Sequence, residues 1–239
     1  MNAKPASQSF SALNKSAALL LQLLLATTLL LGASACDRGP SDRERMKNSG
    51  SAASPTASAV PTDNSNEPED AMTVEVKLTT NMGDITLELD KEKAPNTVAN
   101  FVEYVEAGHY DGLIFHRVID NFMVQGGGYD SSYVQRSTRA SIENEADNGL
   151  KNNDGTVAMA RTNDPHSASS QFFINVKDND FLNHSSKSPQ GWGYAVFGKV
   201  TGGMDVVEKI KQLPTGSGGP FGSDVPREPV IIQSASVIK

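Results

Sequence analysis

Arg117 stands among Phe115, Val118, Ile119, Phe122 and Met123, with Gln125 following and then Gly126-Gly127-Gly128. An arginine beside apolar residues is costly unless it has a partner or a task. Its guanidinium stays charged and offers several donors in a fixed fork. The pattern reads as hydrogen-bond donors aimed at a ligand that is apolar yet carries amide atoms, and a proline-containing peptide fits that description. The chemistry open to such a pair is rotation about the bond preceding proline. Resonance holds that bond planar behind a barrier of about 18–20 kcal/mol, and its isomers interconvert over tens of seconds or more. No covalent bond need break. A site has only to fit the twisted amide better than either planar form, and a donor aimed at the nitrogen, whose lone pair localises on twisting, gains strength there. Arg117 is the residue expected to supply it.

Other chemistries find less support. His109, His116, His166 and His184 show no metal-ligand spacing, so neither a metal nor any other cofactor is expected. His116 reads as a structural histidine, since isomerisation needs no proton transfer. No Lys-Ser/Thr follows the glycine triplet, which argues against a phosphate loop. Asp178-Asn179-Asp180 is calcium-like for three residues and then stops, so a loop is expected. The net charge of −7 argues against nucleic acid as partner.

The elements that must position Arg117 follow from periodicity. Val74, Val76 and Leu78 alternate with polar residues, as do Ile85, Leu87 and Leu89, around Asn81-Met82-Gly83-Asp84, which predicts a first hairpin. Pro95 opens a helix in which Val98, Phe101, Val102 and Val105 share a face, and Gly108 closes it. The segment around Arg117 reads as two strands meeting at Asp120-Asn121. Alternation places Phe115, Arg117 and Ile119 on one face and His116 and Val118 on the other. Further strands are expected at 155–159, 171–176, 194–200 and 230–238, with a short helix through Met204, Val207 and Ile210. Phe115, Val118, Phe172 and Ile174 are assigned to the core. The prediction is a mainly β domain, a closed eight-stranded antiparallel β-barrel with two helices.

Phe115-His116-Arg117-Val118-Ile119 through Phe122-Met123-Val124-Gln125-Gly126-Gly127 resembles the signature of the cyclophilins, a family of peptidyl-prolyl isomerases. Gly155 to Arg161, Ser170 to Asn175 and Ala195 to Val200 resemble further blocks in the right order, covering about Thr73 to Lys239. Ala160-Arg161-Thr162, Asp164 to Ala168 and Gln190 to Tyr194 bring the resemblance nearest to the bacterial B-type members. The resemblance implies that the helices cap the two barrel ends and that Arg117 is the catalytic residue. It implies a proline pocket walled by Phe122, Met123, Phe173 and Leu182, with Gln125 orienting Arg117 and binding a substrate carbonyl. Gln171 and the backbone of Ala160-Arg161 would hold the flanking peptide. Phe181 stands where many eukaryotic members carry a rim tryptophan, which implies weaker cyclosporin binding. Tyr194 stands for a rim histidine. A non-catalytic proline-peptide binder or a holdase on the same fold is the alternative reading.

Residues 1–36 read as an export signal: Lys4 and Lys15 precede an apolar run from Ala17 to Leu31, shorter than the roughly 20 residues of a spanning helix. Ala33-Ser34-Ala35 then meets Cys36, the chain's single cysteine, so no intrachain disulfide can form. The placement resembles the lipobox of bacterial lipoproteins with Cys36 as the lipidation site, although Ala33 stands where leucine is usual, and Ala33-Ser34-Ala35 also suits ordinary cleavage. Asp37 resembles an inner-membrane retention signal. Residues 37–71, poor in large apolar side chains, read as a disordered linker, and 72–239 as the isomerase domain. The expected protein is a monomer on the periplasmic side of a bacterial envelope, anchored by lipid to the inner membrane or else soluble in the periplasm. Its expected partners are unfolded or partly folded clients that contain proline.

Overall fold

The computed structural model describes residues 72–238. The signal-like stretch with Cys36 and the linker 37–71 lie outside the described residues. Strands β1 (Thr73–Thr80) and β2 (Gly83–Asp90) pair antiparallel from Thr73↔Asp90 to Thr80↔Gly83, with Asn81-Met82 as the turn. Val76, Leu78, Ile85, Leu87 and Leu89 are fully buried, so the alternation read from the sequence is the alternation of the inner face. Helix α1 (Pro95–Glu106) starts with proline and lacks a side-chain cap of its own. The Glu145 carboxylate takes that part from 48 residues away, accepting the Thr97 N–H at 2.8 Å and the Asn96 N–H at 3.1 Å. It satisfies two orphan donors and places negative charge at the positive end of the helix. Val98, Phe101 and Val105 point into the core as predicted.

The remaining strands are β3 (Leu113–Ile119), β4 (Met123–Asp130), β5 (Thr156–Met159), β6 (Phe172–Asn175), β7 (Val196–Gly202), β8 (Thr215–Gly218), β9 (Phe221–Pro226) and β10 (Ile232–Ile238), with helix α2 (Met204–Lys211) between β7 and β8. The eight expected strands form one antiparallel sheet in the order β10-β1-β2-β7-β5-β6-β4-β3. The sheet curls so that one face encloses the main core. The expectation of a closed barrel is met only in part. Between the edge strands there is one bridge, Ile114↔Ile231, flanked by Phe115 N–H donating to the Val230 carbonyl at 2.9 Å and Gly112 N–H to that of Ile232 at 2.7 Å. No continuous ladder joins β3 to β10. Helix α1 follows the end of β2, whereas α2 begins against its start, where a Cβ on Gly203 would strike the Asp84 carbonyl. Both helices bury apolar faces in the same core.

Two features depart from the sequence reading. A β-bulge interrupts β3, because Phe115 pairs with Gly126 but Arg117 pairs with Gln125. The extra residue, His116, shifts the phase. Phe115 and Val118 therefore both face the main core, and Arg117 and Ile119 face outward, contrary to the grouping of Phe115 with Arg117. The second feature is the β8–β9 hairpin, which the sequence reading passed over. It lies against β3 and stacks Phe221 on His116, with ring centres 5.3 Å apart.

Candidate functional site

The central strands are buried on both faces. On the inner side Val124, Val157, Met159, Phe172, Ile174 and Phe197 join the main core. On the outer side Met123, Ala158, Phe173, Leu182 and Val196 form a second, smaller apolar cluster. A second buried layer needs cover, and the loops that follow β6 provide it by bringing in Leu182 and Tyr194. What they leave uncovered is a cleft of about 100 Å³, lined by Arg117, Phe122, Met123, Gln125, Ala160, Arg161, Phe173, Leu182 and Tyr194. That is several times the roughly 10–15 Å³ that a cavity needs to hold one water, so a small ring has room to enter.

The bulge in β3 turns Arg117 into this cleft. Its Cζ lies 5.9 Å from the centre of the Phe122 ring, and among the described residues its guanidinium pairs with no carboxylate. Arg117 is half-buried, so its charge acts in a medium less screening than water. Met123 and Phe173 form the floor, and Phe173 meets Tyr194 edge to face at 5.7 Å. Gln125 faces Arg117 across the β3–β4 pair, yet its side chain is held elsewhere: Nε2 donates to Gln171 Oε1 at 3.0 Å. Gln171 does not line the cleft and reaches it only through Gln125. Phe181 also stands outside it, 74 % exposed and stacked on Phe122 at 5.7 Å. Arg161 packs its guanidinium over the Tyr194 ring at 4.6 Å.

Behind the walls lies a network of asparagines that the sequence reading did not single out. Asn179, taken there as part of a plain loop, donates through Nδ2 to the Phe122 carbonyl at 2.9 Å and to Asn175 Oδ1 at 2.8 Å. Asn175 donates to Asn152 Oδ1 at 3.2 Å. Asn152 donates in turn to the Leu182 and Tyr194 carbonyls, each at 3.3 Å. All three asparagines are at most 2 % exposed, and buried amides with satisfied partners hold backbone in place. Three cleft walls thus hang on one set of side-chain amides.

The glycine triplet has a packing reason. A Cβ on Gly126 would come within 2.9 Å of the Phe115 ring, and one on Gly128 within 2.6 Å of the Gln171 amide. Beside Arg117, His116 is buried, and its Nδ1 has no hydrogen-bond partner among the described residues. Burial pushes its pKa down to about 4, with the neighbouring Arg117 charge acting in the same direction. A neutral imidazole locked under Phe221 is structural. Among the described residues no group of three or more His, Cys, Asp or Glu is placed to hold a metal.

The arrangement offers an apolar slot, an amide donor and a charged fork. Residues 75–237 match the family described as cyclophilin type peptidyl-prolyl cis-trans isomerase/CLD. The peptidyl-prolyl cis-trans isomerase cyp18 of Streptomyces antibioticus is 63 % identical over 163 residues, which are 68 % of this chain and 98 % of that protein. Peptidyl-prolyl cis-trans isomerase B of Escherichia coli K12 is 58 % identical over 158 residues, covering 66 % of this chain and 96 % of its own length. Among solved structures, a Cryptosporidium parvum cyclophilin type peptidyl-prolyl cis-trans isomerase, crystallised in the presence of the dipeptide Ala-Pro, superposes with a TM-score of 0.56 at 26 % identity, covering 69 % of this chain and 99 % of that one. This chain therefore belongs to the cyclophilin-type peptidyl-prolyl cis-trans isomerases, enzymes that accelerate rotation about the bond preceding proline.

Proposed function

We propose that the cleft around Arg117 is the catalytic centre and that it turns X-Pro bonds in exported proteins. The proline ring enters the slot over Met123 and Phe173, against Phe122 and Leu182. The Arg117 fork meets the imide nitrogen as its lone pair localises, a donor worth more in the twisted form than in either planar one. Gln125, held by Gln171, offers its amide to a client carbonyl, and the backbone of Ala160-Arg161 receives the flanking chain. One observation carries this reading: a half-buried guanidinium, without a carboxylate partner among the described residues, shares one cleft with an apolar floor. The Ala-Pro dipeptide of the Cryptosporidium relative supports a proline ligand.

The export part rests on the N-terminal sequence: a positive start, the apolar run Ala17 to Leu31, and small residues before Cys36. On this reading Cys36 carries a lipid, Asp37 keeps the protein at the inner membrane, and 37–71 tether the domain on the periplasmic side. The finer reading of the fold, a barrel closed along the β3–β10 seam, draws on the Ile114↔Ile231 bridge.

Two measurements test the proposal. Nuclear magnetic resonance exchange on an Ala-Pro peptide detects turnover directly; a protein that binds the peptide without accelerating exchange is the binding module instead. Labelling of cells with a radioactive fatty acid, wild type against Cys36→Ser, tests the anchor. Label in the wild type alone supports it, and no label in either contradicts it.

A further inference from the structure

Arg161 is a cation in the cleft that the twisting step leaves unused. Its Nε donates to the Gly193 carbonyl at 2.9 Å and its Nη1 to that of Thr162 at 2.8 Å. The same guanidinium sits over the Tyr194 ring, which meets Phe173 in the floor. The fork is thus fixed in place while Nη2 and the full charge remain available, so little side-chain freedom is lost when an anion arrives. The cleft is lined by two arginines and by no carboxylate, on a chain whose net charge is −7. Glu143 stands with Arg161 at a separate small cavity but forms no ion pair with it. A local positive field on an otherwise acidic protein draws in negative segments and repels positive ones.

We propose that Arg161 is a specificity-determining residue that favours clients bearing Asp or Glu in the segment flanking the proline. The inference rests on the reading of this cleft as the proline site. The competing role for Arg161 is purely structural, bracing Tyr194 and the 193 loop, and it predicts no dependence on client charge.

Matched X-Pro peptides with Glu, Gln or Lys before the proline, and a second set with them after it, discriminate the two by exchange measurement of kcat/KM. In the wild type the Glu peptide exceeds the Lys peptide by about fivefold in one of the sets, and the ratio shrinks as salt rises. Arg161→Gln brings the ratio close to one, whereas Arg161→Lys, which keeps the charge but loses the fork, retains most of it. A wild-type ratio near one in both sets, with the Gln peptides turned over, overturns this inference alone. A ratio that survives in Arg161→Gln also overturns it. No turnover of any peptide overturns the reading of the cleft, and this inference with it.

Discussion

The side-chain amide of Asn179 holds the carbonyl oxygen of Phe122 at 2.9 Å, so a residue in the loop after β6 fixes the wall that faces Arg117. Because Asn179 also donates to Asn175, and Asn175 to Asn152, removing it strips partners from buried polar groups on both sides. Asn179→Ala is expected to lower unfolding stability by about 1–3 kcal/mol. At a temperature where the variant stays folded, kcat/KM on a proline peptide falls as well, because a displaced wall misplaces the ring. Urea denaturation and exchange kinetics on the same samples check both effects.

A Cβ on Gly128 would strike the Gln171 amide, and Gln171 holds Gln125. Gly128→Ala therefore acts on the cleft at second hand, by pushing the Gln171 amide away and freeing Gln125. The expected outcome is a higher KM with a smaller change in kcat than removal of Arg117 produces. Gln171→Ala in the same background adds little further, since the link is already broken. A double-mutant cycle measures the coupling.

His116 gives the domain a pH dependence with a definite sign. Its folded pKa is depressed from 6.5 to about 4, so between these values the unfolded chain binds a proton that the folded chain refuses. Stability is therefore fully present above the unfolded value and declines as pH falls through this window, by about 3 kcal/mol in all. His116→Gln cannot titrate and should show a flatter profile from neutral pH to about pH 4.5. Urea midpoints of both proteins across that range decide it.

Phe181 is mostly exposed and touches the site only by stacking on Phe122. Phe181→Ala should leave unfolding stability within about 0.5 kcal/mol while raising KM, because the loss falls on client contact rather than on packing. Thermal unfolding and exchange kinetics separate the two.

Much of this was readable in the chain. The pairs Val76/Leu78 and Ile85/Leu87 announce the first hairpin by strict alternation, and Arg117, Phe122, Met123 and Gln125 sit within one hairpin, strands and turn together, so local spacing brings them together. The inward or outward sense of Arg117 was not readable. A bulge at His116 breaks the period on which such reasoning depends, and nothing in Phe115-His116-Arg117 marks the extra residue. The first strand of the β8–β9 hairpin is Thr215-Gly216-Ser217-Gly218, which has scarcely any side-chain pattern to read. Asn152 and Asn179 look like loop residues and Asn175 like the end of a strand in sequence, and only the β5–β6 pairing and the loops around it make them one network. The long-range cap on α1 by Glu145 is hidden for the same reason.

The central claim is that the guanidinium at position 117 stabilises the twisted imide. The most direct test is exchange kinetics on one proline peptide with wild type and Arg117→Ala, alongside the affinity of each for the same peptide. The account predicts a fall in kcat/KM of about a hundredfold or more, carried by kcat, with the unfolding temperature and peptide affinity little changed. Equal turnover by the two proteins would contradict it.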